Sequence, residues 1–363
     1  MPADDRIRQG GAIVMRRYGG PDVLGFEAVP LAALRPDEIR LRSLASAINH
    51  SDLEIRAGNW PVRRPEPFPY TPGLETVGEV VDVGSAVADF RVGDRAITMM
   101  QGLGGVRAHR PGGYAEYVVV GASAVAPLAA DIDPLAMAAL GLAGVTAFVG
   151  LQKIGDLAGR RIAVTGAAGG VGSAGVAIAK AQGANVIGII SRAEHAEYVR
   201  SLGAGKTMTA QDIANGTLGS ETIDGLLDTV AGKAFGAYVT ALRPGGVLII
   251  DIMNFPWLYG RFKPVFTTAR RGKGWRIRRV VTNEVDGVNM LWYHKEANQM
   301  ELQGKTSEWS ETHVFRMWTF PEFRRNLPAA GFADVRLFGR TEAGAEEATT
   351  QAPRLVIVAN RAA

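Results

Sequence analysis

Residues 163–172 read AVTGAAGGVG, an apolar run that breaks into closely spaced glycines and resumes as the apolar stripe of a helix. Arg161 to Thr165 reads as a buried parallel strand. Glycines can take turn geometries closed to other residues, and they let backbone N–H groups approach a phosphate at a helix N-terminus. Val171, Val176, Ile178 and Ala179 supply the helix face, Gln182-Gly183-Ala184 ends it, and Asn185 to Ser191 is a second strand. Strand, turn, helix and strand in that order describe a dinucleotide cradle. Gly166, Ala168, Gly169, Gly170, Val171 and Gly172 are its candidate binding residues.

The end of the second strand bears on which nucleotide. A free 2′-hydroxyl is usually held by Asp or Glu here, whereas a 2′-phosphate is repelled by that charge and favours Ser, Arg or Lys. The chain reads Ile190, Ser191, Arg192. Arg192 can pair bidentately with a phosphate and Ser191 can donate to one. NADPH is therefore the expected cofactor, the plainer alternative being that both residues simply begin the next helix.

Zero cysteines exclude disulfides, thiolate nucleophiles and cysteine-ligated zinc, so redox chemistry needs a bound cofactor. The 363 residues allow two or three domains, and 47% hydrophobic with 21% charged is ordinary for soluble protein. Gly, Asp and Lys are read as interrupting every apolar run short of membrane length, and MPADDRIRQGG lacks the apolar core of a signal peptide. The cytoplasm is the expected location, with no membrane partner. A net charge of +4 predicts no nucleic-acid partner. The basic run from Arg261 to Arg279, interleaved with Phe262, Phe266 and Trp275, reads as a solvated segment leading into a strand, with anion binding as the alternative.

Residues 11–121 alternate short β-type runs with Gly, Pro and Asp turns, among them Ala12 to Arg16, Glu38 to Ser46, Glu75 to Val83 and Tyr114 to Val120. Asp131 to Leu151 changes to a helical period. After the cradle, helix is predicted for Ala193 to Leu202 and Lys233 to Leu242, and strand for Lys206 to Thr209, Ile223 to Thr229 and Gly246 to Met253. Parallel crossovers should connect the strands.

NHSDLEIRAGNWP (49–61), PGLETVGEVVDVG (72–84), FRVGDRAI (90–97), GGYAEYVVV (112–120), AGVTAF (143–148) and the glycine turn follow one another in an order and spacing that carries a family likeness. Over about residues 11–252 the chain resembles the zinc-independent, quinone-reductase branch of the medium-chain dehydrogenases/reductases. The resemblance implies an α/β protein: a GroES-like, partly open β-barrel domain (1–130), a doubly wound Rossmann domain (131–254), and hydride transfer from NADPH to a quinone or activated alkene in the cleft between them. It also implies pairing of two copies through the edge strand of the nucleotide domain, an edge that altered C-terminal strands could cover.

Zinc-dependent relatives carry Cys in the motif matching Asn49, His in that matching Leu74, and Cys near Ala143, so the resemblance implies a chain without metal. Conjugate reduction needs only hydride delivery and an accessible proton, whereas oxidation of an unactivated alcohol loses its Lewis acid. The resemblance puts Asn49 and Thr146 at the nicotinamide end. Asn49, His50, Asp52 and Tyr70 are the candidate catalytic residues: His50 beside Asp52 reads either as a proton shuttle or as a pair that fixes a loop. Tyr70 and Trp60 read as substrate contacts or packing, Glu75 as structural, and His109, His195, His294 and His313 share no metal-site spacing.

Past RPGGVLIIDIMN (243–254) the likeness ends. Hairpin-like alternation from Trp275 to Gln303, then TFPEFRRNLPAAGFADVRLFGR (319–340) and PRLVIVANR (353–361), is similar to the C-terminal end of class I SAM-dependent methyltransferases. Residues 255–363 are therefore expected as an atypical α+β segment completing the sheet. Thr165 before the turn and Ser191-Arg192 after it are wrong for SAM. Alongside the reductase stand two other readings, a protein that binds NADPH without turnover and a methyltransferase relative.

Overall fold

The computed structural model describes residues 9–58, 68–100, 110–219, 222–230, 235–253, 264–272, 274–286, 291–316, 319–338 and 354–362. Trp60 and His109 lie outside them. By compactness the chain forms two units, Met1–Asp212 with Leu227–Gly232, and Ile213–Leu226 with Lys233–Ala363.

The first unit opens as β structure, as the alternation of its sequence requires. Gln9–Met15 pairs antiparallel with Leu24–Pro30. Five further strands, in the spatial order Tyr117–Gly121, Glu38–Ala45, Thr76–Val83, Arg95–Thr98, Val125–Leu128, form an antiparallel sheet. Ile39, Leu41, Val80, Phe90, Val118 and Val120 fill its core, each contributing about 1.5–3 kcal/mol by burial. The register of Glu38–Ala45 against Thr76–Val83 shifts twice, at Arg40/Leu41 and Ser43/Ala45. Such bulges bend a strand, and this one leads to Asn49.

Pro134–Gln152 begins where Asp133 caps Leu135 N at 3.1 Å and Ala136 N at 3.2 Å, with proline at its first position. This helix corrects the expectation that every apolar run is interrupted. Its 19 residues, PLAMAALGLAGVTAFVGLQ, carry no charge and are long and apolar enough to cross a membrane by length and composition. The glycines at 144 and 150 do not interrupt it, because packing stabilises a helix beyond intrinsic propensity. Ala138, Gly141, Gly144, Ala147 and Leu151 are buried, and the helix packs on Gly170–Ala181, Glu38–Ala45 and Thr76–Val83. It breaks once, at Gly141 (φ 0°, ψ −116°).

Beyond that helix the expected α/β pattern holds. Lys206–Thr209, Asn185–Ile190 and Arg161–Val164 run parallel as neighbours, with Gly225–Leu227 next to Arg161–Val164. Ile162, Val164, Val176, Ala179, Val186, Ile190 and Val199 form the core between this sheet and its helices.

In the second unit, Val247–Met253 pairs antiparallel with Arg354–Arg361, which in turn pairs antiparallel with Phe332–Phe338. The parallel crossover expected for this strand is thus corrected: its hydrogen-bonding partner comes from the end of the chain. Phe320–Ala329 precedes the last two strands, opened by Thr319, whose N–H donates to Glu322 Oε2 at 2.8 Å. Val265–Gly272, Trp275–Asp286, Leu291–Leu302 and Lys305–Arg316 form an antiparallel meander. The basic run is therefore itself strand rather than a connecting segment over its described part. Gln303 and Gly304, at φ +50° and +79°, make the two-residue turn between the last pair, both in the left-handed region that matches hairpin twist.

Candidate functional site

The glycine turn leaves Arg161–Val164 through Thr165 and enters Gly170–Ala181. Gly166 sits at φ +56°, and its carbonyl accepts Gly169 N–H at 2.8 Å. A Cβ on Gly172 would lie 2.1 Å from that carbonyl oxygen, so only glycine permits the helix to start this close to the strand. No side chain caps the helix and no acidic residue stands in its first turn. Its orphan N–H groups and positive dipole end are left for an anion. The residues present fit a dinucleotide pyrophosphate.

Sequence reading missed the other wall of this turn. The Thr165 hydroxyl donates to Asp228 Oδ1 at 2.6 Å and accepts from Thr229 N at 2.7 Å, while the Thr229 hydroxyl donates to the Thr165 carbonyl at 2.8 Å. A Cβ on Gly166 would meet Thr229 Oγ1 at 2.6 Å. The signal was present as an apolar run ending in Asp228-Thr229, but 63 residues separate Asp228 from Thr165.

Ser191 and Arg192 follow the second strand and are exposed. Arg192 Nε lies 3.2 Å from Glu194 Oε1 and a terminal nitrogen lies 2.9 Å from His195 Nε2. An exposed ion pair of this kind is weak, so the guanidinium can exchange Glu194 for a phosphate at little cost.

Asn49 and its neighbours form a buried polar cluster. The expected loop at 49–52 is instead the start of the helix His50–Ala57. Asn49 is its N-cap, Asp52 Oδ2 accepts Asn49 N–H at 2.9 Å, and Gly58 closes the helix at φ +86°. An acceptor three residues past Asn is a capping signature the sequence displayed. Asp52 is 4% exposed. Burial pushes its carboxyl up, against hydrogen bonds from Asn49, Tyr114 and Gly73. His50 is on the outside with Nε2 3.7 Å from Glu54 Oε1. Tyr70 is buried, its hydroxyl has no hydrogen-bond partner among the described residues, and burial then the Asp52 charge push it above the ordinary tyrosine range. Tyr114, whose hydroxyl lies 3.1 Å from the Ala47 carbonyl, is pushed the same way for the same reasons.

Glu75 is 1% exposed. Its Oε1 accepts the Asn49 side-chain amide at 2.8 Å and its Oε2 accepts Leu142 N–H at 2.6 Å. Burial raises its carboxyl, offset in part by these two donors. Thr146 is exposed and its hydroxyl donates to the Leu142 carbonyl at 2.8 Å. The backbone N–H and carbonyl of Leu142 thus join Thr146 to Glu75 and, through it, to Asn49.

The positions matching zinc ligands do not fit the metal. Leu74 is buried in an apolar cluster with Met15, Val23, Ile55 and Tyr70, and the Asn49 amide is turned to Glu75. Among the described residues no group of three His, Asp or Glu side chains could hold an ion. In the second unit, strand register sets His294 opposite His313. His294 Nδ1 lies 2.7 Å from Asn283 Oδ1 and its Nε2 lies 2.9 Å from Glu296 Oε1, with Arg279 also paired to Glu296. Both ring nitrogens are engaged within the sheet, so neither is open to a metal.

Residues 35–130 match the family model of the alcohol dehydrogenase GroES-like domain, and 170–250 match that of zinc-binding dehydrogenases. A chloroplast envelope quinone oxidoreductase homolog of Arabidopsis thaliana is 31% identical over 262 residues, 68% of this chain and 77% of that protein. The chain belongs to the medium-chain dehydrogenase/reductase family. A 2-haloacrylate reductase of a Burkholderia species is 32% identical over 65% of this chain and 71% of its own. Among solved structures, the quinone oxidoreductase of Coxiella burnetii superposes with a TM-score of 0.57 at 26% identity, covering 65% of this chain and 73% of that one. The GroES-like and Rossmann-type parts of the medium-chain fold are thereby as expected. As a family member, the chain is an oxidoreductase built to bind a nicotinamide dinucleotide and a small-molecule substrate.

Proposed function

We propose that this oxidoreductase uses NADPH, without zinc, to reduce a quinone or an α,β-unsaturated carbonyl. The observation that carries the reading is the pair of substitutions at the two ends of the site. Ser191-Arg192 closes the strand after the glycine turn without a carboxylate, and Asn49 and the buried Leu74 are the residues that the family resemblance sets against the zinc ligands of metal-dependent relatives. The names of relatives support the substrate class, among them an NADPH-dependent alkenal/one oxidoreductase of Arabidopsis thaliana, 35% identical over 53% of this chain.

When bound, the nicotinamide supplies a hydride. The chain's own residues bind and orient. N–H groups of the glycine turn would hold the pyrophosphate, and Arg192, weakly paired with Glu194, would pair with the 2′-phosphate. Asn49 presents its amide to the carboxamide or to the substrate carbonyl, beside Thr146. Asp52 and Tyr70 brace the helix that carries Asn49, and the proton comes from water or a nearby hydroxyl, with His50 exposed at that helix start. Orientation supplies most of the rate in this mechanism.

The test is a titration of the purified protein with NADPH, NADH and SAM, by nicotinamide fluorescence and calorimetry, followed by a quinone and enone screen. NADPH should bind at least about tenfold tighter than NADH, and Arg192→Ala should erase that preference. Tight NADPH binding with no turnover would favour a binding protein. Binding of SAM alone would overturn the reading. The methyltransferase alternative draws on the order of helix Phe320–Ala329 and strands Phe332–Phe338 and Arg354–Arg361, but Thr165 and Ser191-Arg192 oppose it.

A further inference from the structure

We propose that Glu75 is a positioning residue for hydride transfer, one carboxylate that sets both the Asn49 amide and the start of the helical segment carrying Thr146. This rests on the functional reading above, in which Asn49 and Thr146 face the nicotinamide end. Three observations carry it. Glu75 spends one oxygen on each partner, Asn49 Nδ2 at 2.8 Å and Leu142 N at 2.6 Å, and an ionised carboxylate only accepts. The amide of Asn49 therefore has a single allowed orientation, nitrogen toward Glu75.

The second observation is the break at Gly141, after which Leu142 offers the first N–H of a fresh helical stretch. A carboxylate at that point satisfies an orphan donor and complements the helix dipole. Thr146 bonds back to the Leu142 carbonyl at 2.8 Å, so it lies on the turn that Glu75 anchors. The third is the space itself: a Cβ on Gly141 would come 1.7 Å from Glu75 Oε2 and 2.7 Å from its Cδ. The chain has glycine where the carboxylate must pass. Asp52 is the other carboxyl whose charge acts on Glu75, and Tyr114 is the hydroxyl on which both charges act.

The experiment compares wild type, Glu75→Gln, Asn49→Ala, the double variant and Asn49→Asp by NADPH titration, steady-state kinetics and thermal unfolding. Glu75→Gln should lower kcat about tenfold or more with a smaller change in KM, and the double variant should be no slower than Asn49→Ala, because coupled residues are non-additive. Asn49→Asp sets two carboxyls against each other, which must share a proton. Its activity should approach wild type in acid and fall as pH rises, a profile that a purely structural role would not produce. Multiplicative losses in the double variant, or a pH profile for Asn49→Asp parallel to wild type, would overturn the proposal. The Asn49→Asp profile also decides the matter if Glu75→Gln fails to fold. A wild-type chain that does not bind NADPH would sink the functional reading itself, whereas wild-type binding with Glu75→Gln kinetically unchanged would sink only the role of Glu75.

Discussion

Asp52 shows how one side chain serves position and charge together. It accepts the N–H of its own helix cap and is 4% exposed, so burial raises its carboxyl above the ordinary value. A carboxyl whose folded pKa lies above its unfolded one contributes stability that is fully present below the unfolded value and is lost as pH rises through the folded one. Glu75 is shifted in the same direction by the same cause. Replacing Asp52 by Asn removes this dependence at one site. The difference in urea midpoint between wild type and Asp52→Asn should move in the variant's favour as pH rises from below the ordinary aspartate value to above the raised one. A difference independent of pH would show that Asp52 is not held above its ordinary value. The surface carboxyls that are shifted down, Asp22, Glu27 and Asp212, are common to both proteins and cancel.

Pro134–Gln152 is the element on which the site turns. Its sequence is apolar on all sides, and the sequence alone says only that such a helix must be largely covered or must cross a membrane. At its break a Cβ on Gly141 would come 1.7 Å from Glu75 Oε2, on a carboxylate that Asn49 and Leu142 hold. Gly141→Ala should therefore destabilise the protein by about 1–3 kcal/mol, read as a lower urea midpoint, and should also weaken turnover. An Ala variant as stable as wild type would mean that Glu75 moves freely. Helix His50–Ala57 makes the complementary point. Its cap, Asn49 with Asp52, and its closing Gly58 were all written in NHSDLEIRAG, yet a family motif there reads as a loop unless the capping spacing is counted.

Across the whole molecule, the family likeness and the division into units follow different boundaries. Family models cover 35–130 and 170–250, whereas the second compact unit takes in Ile213–Leu226 and all from Lys233 onward. Hydrogen exchange with and without NADPH is the corresponding measurement. Saturating NADPH should slow exchange in peptides covering the 163–175 turn, the 186–193 strand end and the 228–230 wall, because a ligand stabilises what it binds. Peptides from the 275–316 meander should not change. Protection confined to the meander would relocate the nucleotide site to the second unit.

What the sequence by itself determined was local: the β alternation before residue 121, the helix caps, and the glycine turn between strand and helix. These depend on neighbours a few residues apart, where turn geometry and hydrophobic period leave a readable pattern. Tertiary structure alone decided the partners. Glu75 reaches 26 residues back to Asn49 and 67 forward to Leu142, Thr165 reaches 63 to Asp228, and Val247–Met253 pairs with the last strand of the chain. A buried carboxylate or strand edge must find its donors wherever the fold brings them, and no spacing in the sequence records which donors those will be.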